Sequence, residues 1–212
     1  MRKIAVLGTG RVGMALAAKL ASAGHCVTLG TRDTAQTQGK WSGPTIGVSD
    51  TTHAIRQADI VFNATPGETS VERLGALRDE LRGKVLVDVS NAVERDANGR
   101  PNGLMYAGKS LAEHLQEALP ESAVVKTLNT MLFTVMVNPQ LLTTSATVFL
   151  SGNDADAKAL VSGLLGDLGW EASSIEDLGD IATARGPEAF MLLVPHILCN
   201  HGFAPFALSV AR

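Results

Sequence analysis

The chain has 212 residues, enough for one domain with a core covered on both faces, or for one domain and a small addition. With 18% charged residues, 4% aromatic residues and a formal net charge of −3, it lacks the basic face that nucleic-acid binding needs. Its two cysteines, Cys26 and Cys199, lie far apart with no CxxC spacing, which signals neither a disulfide framework nor a zinc site and suits a reduced cytoplasmic compartment.

The opening Met1-Arg2-Lys3 runs straight into Ile4 to Leu7 and then a glycine, too short an apolar stretch for a secretory leader. No later run reaches the roughly 18 apolar residues of a membrane span. Strand-like segments are expected at Lys3 to Leu7, Cys26 to Gly30, Ile60 to Thr65, Val85 to Val89, Val124 to Leu128 and Thr147 to Ser151. Between the first two, Val12, Leu16, Leu20 and Ala23 recur at helical spacing until Gly24 stops the helix, giving a β-α-β unit. Asp33 to Pro44 is polar, holds Gly39, Gly43 and Pro44, and reads as a loop. A short strand is expected near Thr45 to Val48, then one or two helical turns over Thr51 to Gln57. Glu94 to Gly108 is turn-rich without an apolar period and reads as a long surface loop. Asp154 and Asp156 suit the start of a helix by capping and dipole. The segment Phe190 to Leu198 is apolar on all sides, so a sheet or a second subunit has to bury it. Strands alternating with helices imply an α/β, doubly wound, mostly parallel sheet. Residues 1–150 form the dinucleotide-binding domain in this reading, and 151–212 a small helical C-terminal part that closes the site and serves dimerisation.

Gly8-Thr9-Gly10-Arg11-Val12-Gly13 follows the first strand directly and opens the first helix. The first glycine makes the tight turn, the second lets a pyrophosphate approach the backbone, and the third packs helix on strand. Unpaired N–H groups at the helix start then face the phosphates. The second strand ends Leu29-Gly30-Thr31-Arg32, with no carboxylate until Asp33. An NAD site would place an acid there for the ribose 2′-hydroxyl, whereas a guanidinium and a hydroxyl suit the 2′-phosphate of NADP(H). Arg11 is a second candidate for the adenine or its phosphate.

Other site residues are expected at the carboxyl ends of later strands, where open α/β sheets bind ligands. These are Ala64, Thr65 and Pro66, then Ser90 and Asn91, then Asn129. Met131, Leu132, Phe133, Met191 and Leu192 suit either an apolar wall for a flat ring or plain core packing. Arg185 reads as a surface ion pair with Asp180 or Glu188, with an anionic substrate tail as the other role. His196 and His201 lack the spacing and companions of a metal site. No catalytic acid–base pair stands out, which suits hydride transfer between stacked rings, where alignment and exclusion of water suffice.

With these residues in view, the chain resembles the F420-dependent NADP oxidoreductase family. The resemblance rests on Ile4 to Gly10, Ala23-Gly24-His25 and Gly30-Thr31-Arg32. It also rests on Val124-Val125-Lys126-Thr127-Leu128-Asn129, and on Leu178-Gly179-Asp180 leading to Ala184-Arg185. It implies a Rossmann-type fold, NADP(H) on the glycine loop with Thr31 and Arg32, coenzyme F420 as co-substrate against the nicotinamide, and a homodimer. At Arg11-Val12 and in the short stretch after Asp33 the chain departs from the family pattern. The acceptor is therefore left open between the deazaflavin and an imine, a carbonyl or a flavin, and a non-catalytic NADP(H) sensor remains the rival from another class.

Overall fold

The structure is a computed structural model that describes residues 1–211. Its strands in chain order are β1 (Lys3–Leu7), β2 (Cys26–Thr31), β3 (Gly47–Asp50), β4 (Ile60–Asn63), β5 (Val85–Asp88), β6 (Val93–Arg95), β7 (Pro101–Leu104), β8 (Ala123–Lys126), β9 (Val148–Gly152) and β10 (Ile175–Asp177). The helices are α1 (Arg11–Ser22), α2 (Thr34–Lys40), α3 (Thr51–Gln57), α4 (Ser70–Gly75), α5 (Arg78–Leu81), α6 (Leu111–Ala118), α7 (Phe133–Val137), α8 (Ala155–Leu168), α9 (Arg185–Ala189) and α10 (Val194–His201).

Eight strands form one sheet in the order β10-β9-β8-β5-β4-β1-β2-β3, parallel throughout except where β8 meets β9. Side chains alternate faces along each strand. In β1, Ile4 and Val6 pack with Leu16, Ala17 and Leu20 of α1 on one face, while Ala5 and Leu7 pack with Ala54 and Ile55 of α3 on the other. Chain order reverses between β1 and β4, because β2 and β3 lie on one side of β1 and β4 and β5 on the other. Such a switch point leaves a crevice at the carboxyl ends of the two strands, where α/β folds take their ligands.

Two segments differ from the sequence expectation, and a third is left for another surface to cover. The stretch after β2 holds a real helix, α2, because the Asp33 side chain accepts a bond from Gln36 N at 2.9 Å and caps it. Glu94 to Gly108 contains the antiparallel pair β6 and β7, closed by an Asp96 turn in which the Asp96 carboxylate takes Asn98 N and Arg100 N, each at 2.8 Å. Its strands show no apolar period because Glu94 and Arg95 both face solvent. Phe190 is buried, but Leu192 and Leu193 are about half exposed and α10 buries no residue, so the chain alone does not cover this segment. The boundary at residue 150 falls inside β9, and α8 and β10 continue the same layered sheet. The helix expected after Gly152 is α8, capped by Asp154 on Ala157 N at 2.8 Å.

Candidate functional site

The glycine turn sits at the switch point. Gly8 has φ 109°, a left-handed conformation that favours glycine, and a Cβ there would lie 2.5 Å from the Ala64 carbonyl oxygen. A Cβ on Gly13 would lie 1.9 Å from the Gly8 carbonyl oxygen, so helix and turn touch backbone to backbone. Gly10 is different: a Cβ there meets nothing within 4 Å. The fold therefore requires Gly8 and Gly13 for its own packing, while the surface at Gly10 is open. Thr9, Gly10 and Arg11 are exposed, and α1 begins with neither a side-chain cap nor an acid in its first turn. Its first N–H groups, Arg11, Val12 and Gly13, lack intrahelical partners and carry the positive end of the helix dipole. These features fit a dinucleotide pyrophosphate.

Thr31 is buried, and its hydroxyl bonds to the Thr37 hydroxyl at 2.9 Å and accepts from Asp33 N at 3.2 Å. It shapes the turn into α2, and the exposed group at this strand end is Arg32. Arg11 points elsewhere: its guanidinium lies 5.5 Å from the Phe133 ring centroid and 5.7 Å from that of Phe203, over the α7 side of the crevice. Phe203 belongs to a C-terminal tail that pairs with the chain after β8, through Leu132 N to Phe206 O and Leu208 N to Thr130 O, both at 3.0 Å.

At the ends of β4, β5 and β8 lies a buried polar network that sequence reading did not assemble. Asn63 Nδ2 donates to Asp88 Oδ1 at 2.8 Å, Ser70 Oγ at 3.1 Å and Ser90 Oγ at 3.2 Å, and Asn63 Oδ1 accepts from Thr65. Ser90 Oγ donates to Asp88 Oδ1 at 2.7 Å, and Lys126 Nζ reaches Asp88 Oδ2 at 2.7 Å and Glu188 Oε1 at 2.9 Å. Glu188 also accepts from Leu111 N and Ala112 N, which ties α9 to the start of α6. Burial pulls the Lys126 ammonium down, but Asp88 and Glu188 more than offset it and hold it above its ordinary value. The signal available in sequence was a single lysine inside an otherwise apolar strand run, Val124-Val125-Lys126.

Asn91 and Asn129 hold each other: Asn91 Nδ2 donates to Asn129 O at 3.1 Å, and Asn129 Nδ2 donates to Asn91 Oδ1 at 3.0 Å. This locks the end of β5 to the end of β8. Between them Leu128 takes φ 61°, the one positive-φ non-glycine among the described residues. Backbone strain of this kind in a bulky residue concentrates at functional sites. The neighbouring Thr127 hydroxyl is buried without a hydrogen-bond partner among the described residues. Ala64 and Thr65 are half-buried and Pro66 is exposed, while Ser90 is held within the network. Arg185 does not pair with Glu188 as expected. It makes a two-pronged contact with Glu113, Nε to Oε2 at 2.8 Å and Nη2 to Oε1 at 2.6 Å, because Glu188 is turned inward to Lys126. No group of three or more His, Cys, Asp or Glu among the described residues could hold a metal ion. A concavity of about 480 Å³ opens at the opposite, amino-terminal edge of the sheet, lined by Lys3, Cys26 and Asp59 among others, and lies away from the glycine turn.

Residues 3–92 match the family described as NADP oxidoreductase, coenzyme F420-dependent. Over its full length the chain is 39% identical, with a TM-score of 0.92, to the crystal structure of a candidate F420-dependent NADP reductase from Arthrobacter sp. FB24, all of which it covers. The chain belongs to the F420-dependent NADP oxidoreductase family. An F420-dependent NADP reductase of Methanocaldococcus jannaschii is 27% identical, with 91% of this chain and 90% of that protein covered. The metalloreductase STEAP3 of Rattus norvegicus is 30% identical over 90% of this chain, which spans only 36% of that protein. No helix among the described residues is long and apolar enough to cross a membrane. The family match ends just past Asn91, so the crevice of β1, β4 and β5 lies within it and Asn129 beyond it.

Proposed function

We propose that the protein is an NADP(H)-dependent oxidoreductase whose hydride acceptor is a flat redox ring, a deazaflavin of the coenzyme F420 type. The observation that carries the reading is the exposed Arg32 at the end of β2, beside a glycine turn whose Gly10 surface is bare. An acid is missing where an NAD site would need one, since Asp33 is engaged in capping α2. When bound, NADPH supplies the hydride, and the protein supplies position and dryness.

In this reading Gly8, Thr9, Gly10, Val12 and Gly13 present backbone N–H groups to the pyrophosphate, and Arg11 adds charge from between its two rings. Arg32 takes the 2′-phosphate on a turn shaped by Thr31. Ala64, Thr65 and Pro66 line the β4 side of the crevice, and Ser90, Asn91 and Asn129 fix the nicotinamide end. Met131, Leu132 and Phe133 offer the apolar wall against which a ring can lie. The C-terminal part, 151–212, closes the site through its tail, and the half-exposed Leu192 and Leu193 serve a homodimer interface in a cytoplasmic protein. Light scattering on the wild type and on Leu193→Glu tests that assembly: a monomeric wild type removes the dimer.

The activity is tested by mixing protein and NADPH without oxygen with oxidised F420, with free flavin as the comparison acceptor. Bleaching of the deazaflavin, faster than of flavin, is the expected result. NADPH binding without bleaching would overturn the acceptor and leave the cofactor.

A further inference from the structure

Five arginines among the described residues pair with carboxylates: Arg56, Arg78, Arg82, Arg95 and Arg185. Arg32 and Arg73 are among the arginines that form no ion pair there, and these two follow the strands on either side of β1. Arg73, on α4, donates from Nη2 to Pro66 O at 3.2 Å and from Nε to Thr69 O at 3.4 Å, which pins its guanidinium beside the loop after β4. That loop presses on the glycine turn through Ala64, and on its other side Gly8 N reaches Gly30 O at 3.4 Å, two residues before Arg32. Two cationic forks thus approach the crevice from the two strands that flank β1. Desolvation first, and the charge of Arg32 second, hold the Arg73 guanidinium below its ordinary value. Two like charges directed at one crevice repel each other. A dianion between them turns the repulsion into two attractions, and guanidinium forks match phosphate oxygens in geometry.

We infer that Arg73 is a second ligand of the 2′-phosphate, reaching it from α4 opposite Arg32, and that it helps to set the preference for NADP(H) over NAD(H). This deepens the cofactor reading above and rests on it. The test measures NADPH, NADH and 2′,5′-ADP binding to the wild type, Arg73→Ala and Arg73→Lys, with a thermal melt of each variant. Because Arg73 is an exposed helix residue, the variants are expected to fold. Loss of one charge-assisted contact corresponds to about a tenfold weaker NADPH and 2′,5′-ADP affinity in Arg73→Ala, with NADH unchanged within about twofold. Arg73→Lys keeps the charge without the fork and should fall between the two. Equal losses for NADPH and NADH, or a wild-type preference kept in full by Arg73→Ala, would overturn the inference alone. A wild type that binds NADH as tightly as NADPH would overturn the cofactor reading together with it.

Discussion

Replacing Lys126 with Met probes the buried network most directly, because the side chain keeps its bulk and loses the charge with its N–H donors to Asp88, Glu188 and Ser90 O. Lys126 is 1% exposed and its two carboxylate partners lie at 2.7 and 2.9 Å. Removing one member of a buried ion pair costs about 3 to 5 kcal/mol, since the remaining charge stays desolvated. Here two carboxylates are stranded, but each keeps other donors: Asp88 retains Asn63 and Ser90, and Glu188 retains Leu111 N and Ala112 N. Those donors hold the expected loss within that range. For a chain of this length it corresponds to a melting temperature lower by about 6 to 20 °C, at about 2 to 4 °C per kcal/mol. Circular dichroism melts at neutral pH measure it, and urea midpoints check it. The double variant, Asp88→Asn with Lys126→Met, removes one stranded charge while Glu188 keeps both backbone donors, and should recover part of the loss. A single variant within about 1 kcal/mol of wild type, or a double no better than the single, would refute the account of the network. Because the folded ammonium stands above its ordinary value, its contribution is fully present below the unfolded lysine value of about 10.4 and disappears only as pH rises through the folded one.

Gly10→Ala and Gly13→Ala should separate binding from folding: the first keeps the wild-type melt and weakens NADPH binding, the second lowers the melt because its Cβ lands 1.9 Å from Gly8 O. Comparable melts for both would show that the helix can shift to absorb the clash. Leu128→Gly should lower stability by up to about 4 kcal/mol, since lost burial of about 2 to 5 kcal/mol exceeds the strain of about 1 to 2 kcal/mol that it relieves; a raised urea midpoint would mean that strain dominates. The hydrogen bonds from Arg185 hold the Glu113 carboxyl down at about 2, against burial and with help from Ser110. A depressed carboxyl contributes stability above its ordinary value of 4.5 that is lost as pH falls towards 2. Melts of wild type and Arg185→Met should therefore differ at neutral pH and converge over that acidic window, and a constant gap would assign the effect of Arg185 to packing.

What the sequence determined by itself is local. The glycine turn, α1 and the first two strands fall within a single stretch of about 30 residues, and apolar runs with helical or strand period declare themselves there without partners. The absence of an acid at the end of β2, before Asp33, is likewise a matter of adjacent residues. The hairpin β6 and β7 was illegible because solvent-facing strands have no apolar alternation to show, and α2 because its seven residues are held by a cap rather than by a buried face. The exposure of α10 was hidden for the converse reason, since an apolar segment says that it needs a cover but not which surface supplies one. Tertiary structure alone decided the polar site. Asn63, Asp88, Lys126 and Glu188 belong to four separate elements, and only the strand order brings them together. It also decided that Arg185 meets Glu113 while Glu188 turns inward, and that Arg11 lies between two rings. A buried charge is stable only with its partners in place, and which partners those are depends on how strands and helices stack, a relation that no spacing along the chain records.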